Sequence, residues 1–274
     1  MHLVSAWAAR QGMVLGQQAT REKSNEITAI PLLLKPLDLN GALVTMDAMG
    51  TQTDIARAIR DGGGDYCMSL KKNWPVVHAD VERLFNNPPD DIVFETHEAV
   101  EVTGGRIETR RHTVCHEIDW MTSDRHYPGE PIFPDFAMVG RVETEVERNG
   151  KIEYEIRYYL CSLALNALNF ARSAVPAHWG VENRLRWVLD VIFREDRARI
   201  RVGNGPQNMA IIRHAALNLL ARAKQTDGQL EVPAKTGRMK RQLPRNRHPT
   251  DRMTFKRFAW IRGAGRRSAE SILN

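Results

Sequence analysis

No stretch of the 274 residues is apolar for anything near the roughly 20 positions a membrane-spanning helix requires. The first residues, MHLVSAWAARQ, also lack the basic segment and long apolar core of a secretory leader. Cysteine is scarce. Cys67, Cys115 and Cys161 are odd in number and widely spaced, which argues against a disulfide framework and for a reducing, cytoplasmic setting. There is no phosphate-binding loop, because Gly62-Gly63-Gly64 follows a helical pattern and no Lys-Ser/Thr comes after it. No serine sits in a nucleophile-elbow context. His112, Cys115 and His116 lie in an alternating segment without a second ligand pair, so zinc is not expected.

What is present is ordinary globular material, 42% hydrophobic and 26% charged, enough for a sizeable core. Charge is unevenly placed. Residues 235–274 hold twelve Lys/Arg against two acids, a net of +10. The overall +6 less that +10 leaves −4 for the remaining 234 residues. A basic end on a mildly acidic body suits a polyanionic partner, and equally suits a solvated tail.

Patterning along the chain predicts an α/β fold. Residues 2–9 and 13–19 read as a hairpin turning at Gly12. Ile27, Ile30, Leu33, Leu34 and Leu37 have helical spacing, with Pro31 tolerated if Thr28 is the N-cap. Gly41–Met46 and Asp65–Leu70 are continuous apolar runs around a short helix from Thr53, a βαβ unit with parallel strands. A further helix spans Val76 to Phe85. Residues 92–103, 106–118 and 138–159 then alternate. Val142, Thr144 and Val146 face one way, Glu143, Glu145 and Glu147 the other, and Asn149-Gly150 turns into Ile152, Tyr154, Ile156 and Tyr158. Helices return at 163–174, about 180–192 and about 207–223. The expected organisation is a first core part (1–91), a β-rich insertion (92–160), a helical completion of the core (161–225) and a basic, loosely ordered tail (226–274) with a short helix near its end.

Asp47 stands directly after a buried parallel strand, where α/β folds place functional groups, although capping the next helix explains it as well. Glu182 opens an amphipathic helix, where a first-turn acid is favoured by the helix dipole. The two lie 135 positions apart, and brought together they could hold Mg²⁺, which takes oxygen ligands and keeps several waters.

Several strings, in order, resemble the ISAs1 family of insertion-sequence transposases, which includes the H-repeat-associated proteins of bacteria. They are Lys23-Ser24-Asn25-Glu26-Ile27, Gly41 through Ala48, Gly64-Asp65-Tyr66, Lys71-x-Asn73, Gly105 through Arg111, Tyr158-Tyr159, His178 through Asn183, and Trp187 through Asp196. The resemblance runs from His2 to about Ala223. It implies a DDE transposase with a ribonuclease-H-like core, a mixed sheet with helices, interrupted by a β-rich insertion before the last catalytic helix. It implies two Mg²⁺ ions held by an Asp, Asp, Glu triad, DNA ends and target DNA as partners, homo-oligomerisation on DNA, and a bacterial cytoplasmic location without a membrane. Asp47 matches the second Asp and Glu182 the Glu. Lys71 and Asn73 match a motif expected near the scissile phosphate or in support of Asp47. Arg106, Arg110 and Arg111 are candidate phosphate contacts, with cross-strand pairing to Glu as their alternative. Lys240 and Arg241 of the basic tail are further DNA-contact candidates.

Three positions depart from the pattern, with Pro176 for an Arg, Arg186 for a His and Trp74 for a Gln. The family's first Asp lies upstream of the hairpin, in a segment reading roughly Asp-Gly-Lys that these residues do not contain. The expectation is therefore a truncated chain whose first core strand is missing, with a neighbouring sheet edge left unpaired. The alternative reading is a catalytically inactive, DNA-binding remnant.

Overall fold

A computed structural model describes residues 2–20, 26–122, 133–180, 185, 187–200, 202–226 and 257–262; for residues 2, 122, 174–180, 196, 224–226 and 257–262 it describes the backbone alone. The hairpin forms as β1 (His2–Ala8) and β2 (Met13–Thr20), with Gly12 at φ +66°. Helix α1 (Glu26–Leu34) starts earlier than expected, so Thr28 lies inside it and Pro31 sits in its interior. Proline there removes the N–H that would bond the Ile27 carbonyl. Burial of Ala29, Ile30, Leu33 and Leu34 offsets that loss.

The βαβ unit follows as β3 (Leu43–Met46), α2 (Thr53–Asp61) and β4 (Asp65–Leu70), with β3 and β4 parallel. Helix α3 (Pro75–Asn86) begins on a proline, where no N–H is needed. Strands β5 (Glu95–Thr103), β6 (Arg106–Cys115), β7 (Met138–Arg148) and β8 (Lys151–Cys161) form an antiparallel meander. Asn149 and Gly150 both take positive φ at its β7–β8 turn. A single turn, α4 (Asp119–Thr122), lies between β6 and β7. Helix α5 (Ala167–Gly180), a π-helical segment at Val188–Ile192 and helix α6 (Gly205–Thr226) complete the body.

The meander is not a separate sheet. Strand β8 pairs antiparallel with β4, matching Cys67 to Cys161, so among the described residues the strands form one nine-stranded sheet. Its order is β2-β1-β9-β3-β4-β8-β7-β6-β5, where β9 is Arg257–Arg262. The strand lies where a loosely ordered tail with a short helix was expected. Its Phe-Ala-Trp-Ile centre has strong β propensity, and two open edges are there to pair it. It runs parallel to β1 and antiparallel to β3, so the sheet edge expected to stand unpaired is paired.

Helices cover both faces. On one, α1, α2 and α3 bury Val4, Ala6, Val44, Met46, Met68 and Leu70. On the other, α5 packs Ala167 and Phe170 on Cys67, Met138, Tyr159 and Cys161. Beyond it, Leu185, Leu189 and Leu217 enclose Trp7 and Val14. Gly140 lies under Phe170, where a Cβ would come within 2.5 Å of the ring. On edge strand β2 the Val14 N–H donates to Asn218 Oδ1, and Asn218 Nδ2 donates to the Val14 carbonyl, both at 2.7 Å.

Candidate nucleic-acid-processing site

The carboxyl ends of β3 and β4 lie side by side because the two strands are parallel and adjacent. Asp47 follows β3 directly, and Lys71, Lys72 and Asn73 follow β4, so the topology brings Asp47, Lys71 and Asn73 to one end of the sheet. Lys71 and Asn73 are exposed and Asp47 is half-buried.

The turn after β3 is held from several sides. Gly50 N–H donates to Asp47 Oδ1 at 3.1 Å. The Thr51 hydroxyl lies 2.6 Å from the Ser69 carbonyl and 3.1 Å from the Asp47 carbonyl. It has one proton to give, and the shorter contact takes it. Asn73 Nδ2 donates to the Ala48 carbonyl at 2.7 Å, and Trp74 Nε1 to the Thr51 carbonyl at 2.7 Å. Asp47 does not cap α2 through its side chain; the N-cap position is Gln52, with no side-chain cap bond. Thr51 and Trp74 escaped the sequence reading as parts of this scaffold. Trp74 departs from the family pattern, and its place before a helix-starting proline marks a fixed corner.

Among the described residues no group of three His, Cys, Asp or Glu is placed to hold a metal ion. The chemistry of Asp47 nevertheless fits a hard divalent cation: it is a carboxylate, partly open, and steadied by a main-chain N–H. Glu182, Lys240 and Arg241 lie outside the described residues, as does the spacing between Asp47 and Glu182.

The three arginines of β6 do not form one patch. Register places Arg106 and Arg110 on one face and Arg111 on the other. Arg111 pairs directly across to Glu98 at 2.9 Å. Arg106 meets Glu108 at 2.7 Å, and Arg110 contacts both Glu108 and Glu101. The Arg111–Glu98 and Arg110–Glu101 pairs cross to β5, whereas Glu108 lies on β6 itself, so Arg106 pairs along its own strand; each guanidinium faces a carboxylate.

Two buried histidines sit away from this end. Burial pushes His214 down to about 4, with the neighbouring Arg213 charge adding to the effect. Burial also lowers His112, which meets the Phe170 ring edge-on. Glu195 is buried beside Arg213, whose Nη1 donates to it at 2.7 Å.

Comparison with known proteins places residues 1–219 in a match to the family described as "Transposase DDE domain". The chain is 38% identical over 229 residues to "H repeat-associated putative transposase YhhI" and, over the same length, to "Putative protein YbfL", both of Escherichia coli K12. Each alignment takes in 82% of this chain and 59% of the relative. "Putative transposase YncI" of Escherichia coli O157:H7 is 38% identical over 237 residues, 83% of this chain and 58% of that protein. The chain thus spans less than two thirds of these relatives' length.

Proposed function

The chain belongs to the transposase DDE-domain family, and from that membership we propose that it carries the DNA-processing body of an ISAs1-like insertion-sequence transposase. The reaction is Mg²⁺-dependent cleavage of DNA strands and their transfer to a target, in a bacterial cytoplasm and by copies assembled on DNA. The mixed sheet with helices on both faces is consistent with a ribonuclease-H-like core. In this reading residues 1–91 and 161–225 form that core, the β5–β8 ribbon is the insertion, and the basic tail adds DNA affinity.

The observation that carries the reading is Asp47, fixed at the carboxyl end of β3 beside the exposed Lys71 and Asn73. Asp47 and Glu182 would hold the cation. When bound, it supplies positive charge to phosphodiester oxygens during in-line displacement. Lys71 offers a mobile ammonium to a phosphate at the same end. Asn73 does not touch the reacting groups in this scheme; it holds the Asp47 turn in register with the β4 end.

The test is a nicking assay on DNA bearing the element's own ends. It compares this chain, a chain extended upstream through the Asp-Gly-Lys segment, and the extended chain with Asp47→Ala. The extended chain should nick in Mg²⁺, and Asp47→Ala should lower nicking by about 100-fold or more with DNA affinity retained. Nicking indifferent to Asp47→Ala would remove the assignment, and DNA binding without nicking by the extended chain would favour the inactive remnant.

A further inference from the structure

Among the described residues the sheet ends in β2 on one side and in β5 on the other. The two ends differ. At β2 a helix residue, Asn218, engages both the N–H and the carbonyl of Val14. Strand β5 pairs with β6 along its whole length without a register shift, and no described strand pairs with its outer side. All of its residues except His97 and Ala99 are exposed. It carries none of the common guards of an open edge, having no proline, no lysine and no bulge. Its glutamates, Glu95, Glu98 and Glu101, are the remaining obstacle to a neighbour.

We propose that this edge is the contact surface for a second copy of the chain, the two β5 strands pairing antiparallel about a two-fold axis at Ala99, so that one sheet runs through both copies. The axis stands perpendicular to the sheet, so residues set opposite each other must share a face. Centring on Ala99 uses the whole strand, since Glu95 then meets Thr103 and Thr96 meets Val102. It also sets each glutamate against a residue of another kind. Glu98 meets Val100, and Glu101 meets His97, whose ring N–H can donate to the carboxylate. Centring on Glu98 instead would set Glu98 against itself and Glu95 against Glu101, and like charges oppose that register. Centring on Val100 would leave Glu95 and Thr96 opposite the Gly104-Gly105 turn, beyond the end of the strand. The apolar side chains favour the same arrangement. Val100 and Val102 are 57% and 71% exposed on one face, beside Ile107 at 40%. In the paired strands Val100 of one copy lies diagonally across from Val100 of the other, so two small apolar patches become one that straddles the axis. The inference rests on the edge and not on the DNA reading.

The test uses the full chain freed of nucleic acid. Sedimentation equilibrium should show a monomer–dimer equilibrium at micromolar concentration. Two substitutions at the exposed Val100 should move it in opposite directions. Val100→Glu sets a carboxylate against Glu98 of the other copy at two symmetric places and should weaken the dimer about tenfold. Val100→Lys sets an ammonium there and should tighten it. Within the chain position 100 faces the uncharged Thr109. Register is read separately with Ala99→Cys. At the axis the two introduced thiols face each other within disulfide reach, and diamide should join the copies through them. His97→Cys, set against Glu101, should give no such link. A chain that stays monomeric, a dimer indifferent to the sign of the charge at position 100, or linking at 97 as efficient as at 99 would overturn the proposal, and each of these results leaves the DNA reading where it stands.

Discussion

Asn73 gives its side-chain N–H to the main-chain carbonyl of Ala48 across 2.7 Å, so the loop after β4 holds the loop that begins with Asp47. The bond is exposed and should add little to global stability, on the order of 0.5–1 kcal/mol. Its effect should be local. In Asn73→Ala the Gly50 and Thr51 amides should exchange roughly fivefold faster, while the urea midpoint moves only slightly. Unchanged exchange at both amides would show that Trp74 and Thr51 suffice to hold the turn.

Buried hydroxyls on neighbouring elements should respond in opposite ways. Thr45→Val removes an oxygen that is buried without a partner, and should be neutral or stabilise by up to about 1 kcal/mol. Thr51→Val removes the proton given to the Ser69 carbonyl and should destabilise by about 1–2 kcal/mol. Equilibrium urea unfolding of the pair decides this, the sign of the difference being the critical reading.

Gly140 permits the contact between α5 and the sheet. Gly140→Ala drives a methyl into the Phe170 ring, and should cost about 1–3 kcal/mol. Phe170→Leu in the same chain should recover part of that loss by thinning the ring. Additive losses in the double variant, read by thermal unfolding, would contradict the clash.

Acid should weaken the fold through histidine. His214 is lowered to about 4 in the fold, against an ordinary value near 6.5 in the unfolded chain. The unfolded state therefore binds more protons between these values. The penalty is absent above about pH 6.5, grows as pH falls, and is complete below about 4. Its ceiling is about 3 kcal/mol at 1.36 kcal/mol per unit. His112, lowered by burial, acts with the same sign. Urea unfolding at pH 7 and pH 5 should show a stability loss that shrinks in His214→Gln, and an equal loss in both proteins would exclude His214 as its source.

Much of the architecture was readable where local chemistry decides it. Gly12 and Asn149-Gly150 mark turns because they tolerate positive φ, and the two apolar runs around α2 announce parallel strands. Asp47 stood out because it ends such a run. The splitting of Arg106 and Arg110 from Arg111 follows from the period of two in a strand and was open to the same reading. What stayed hidden depends on distance along the chain. No local pattern announces that Cys161 pairs with Cys67 and joins the meander to the core, or that β9 travels back between β1 and β3. Pro31 points to a later helix start, because its local cost is visible in the sequence and the burial its helix gains is not.

The side chain of Asn218 has the same donor and acceptor as a peptide group, and at Val14 it behaves as one, like a single residue of an extra strand lent by a helix. An outermost strand invites neighbours from other molecules, and that invitation is how sheets become fibrils. With Val14 already engaged on both its N–H and its carbonyl, a stray strand laid along β2 meets an interrupted ladder at that point. Replacing this one carboxamide would reopen the margin of the sheet, so a helix residue remote from any chemistry guards the protein against its own copies.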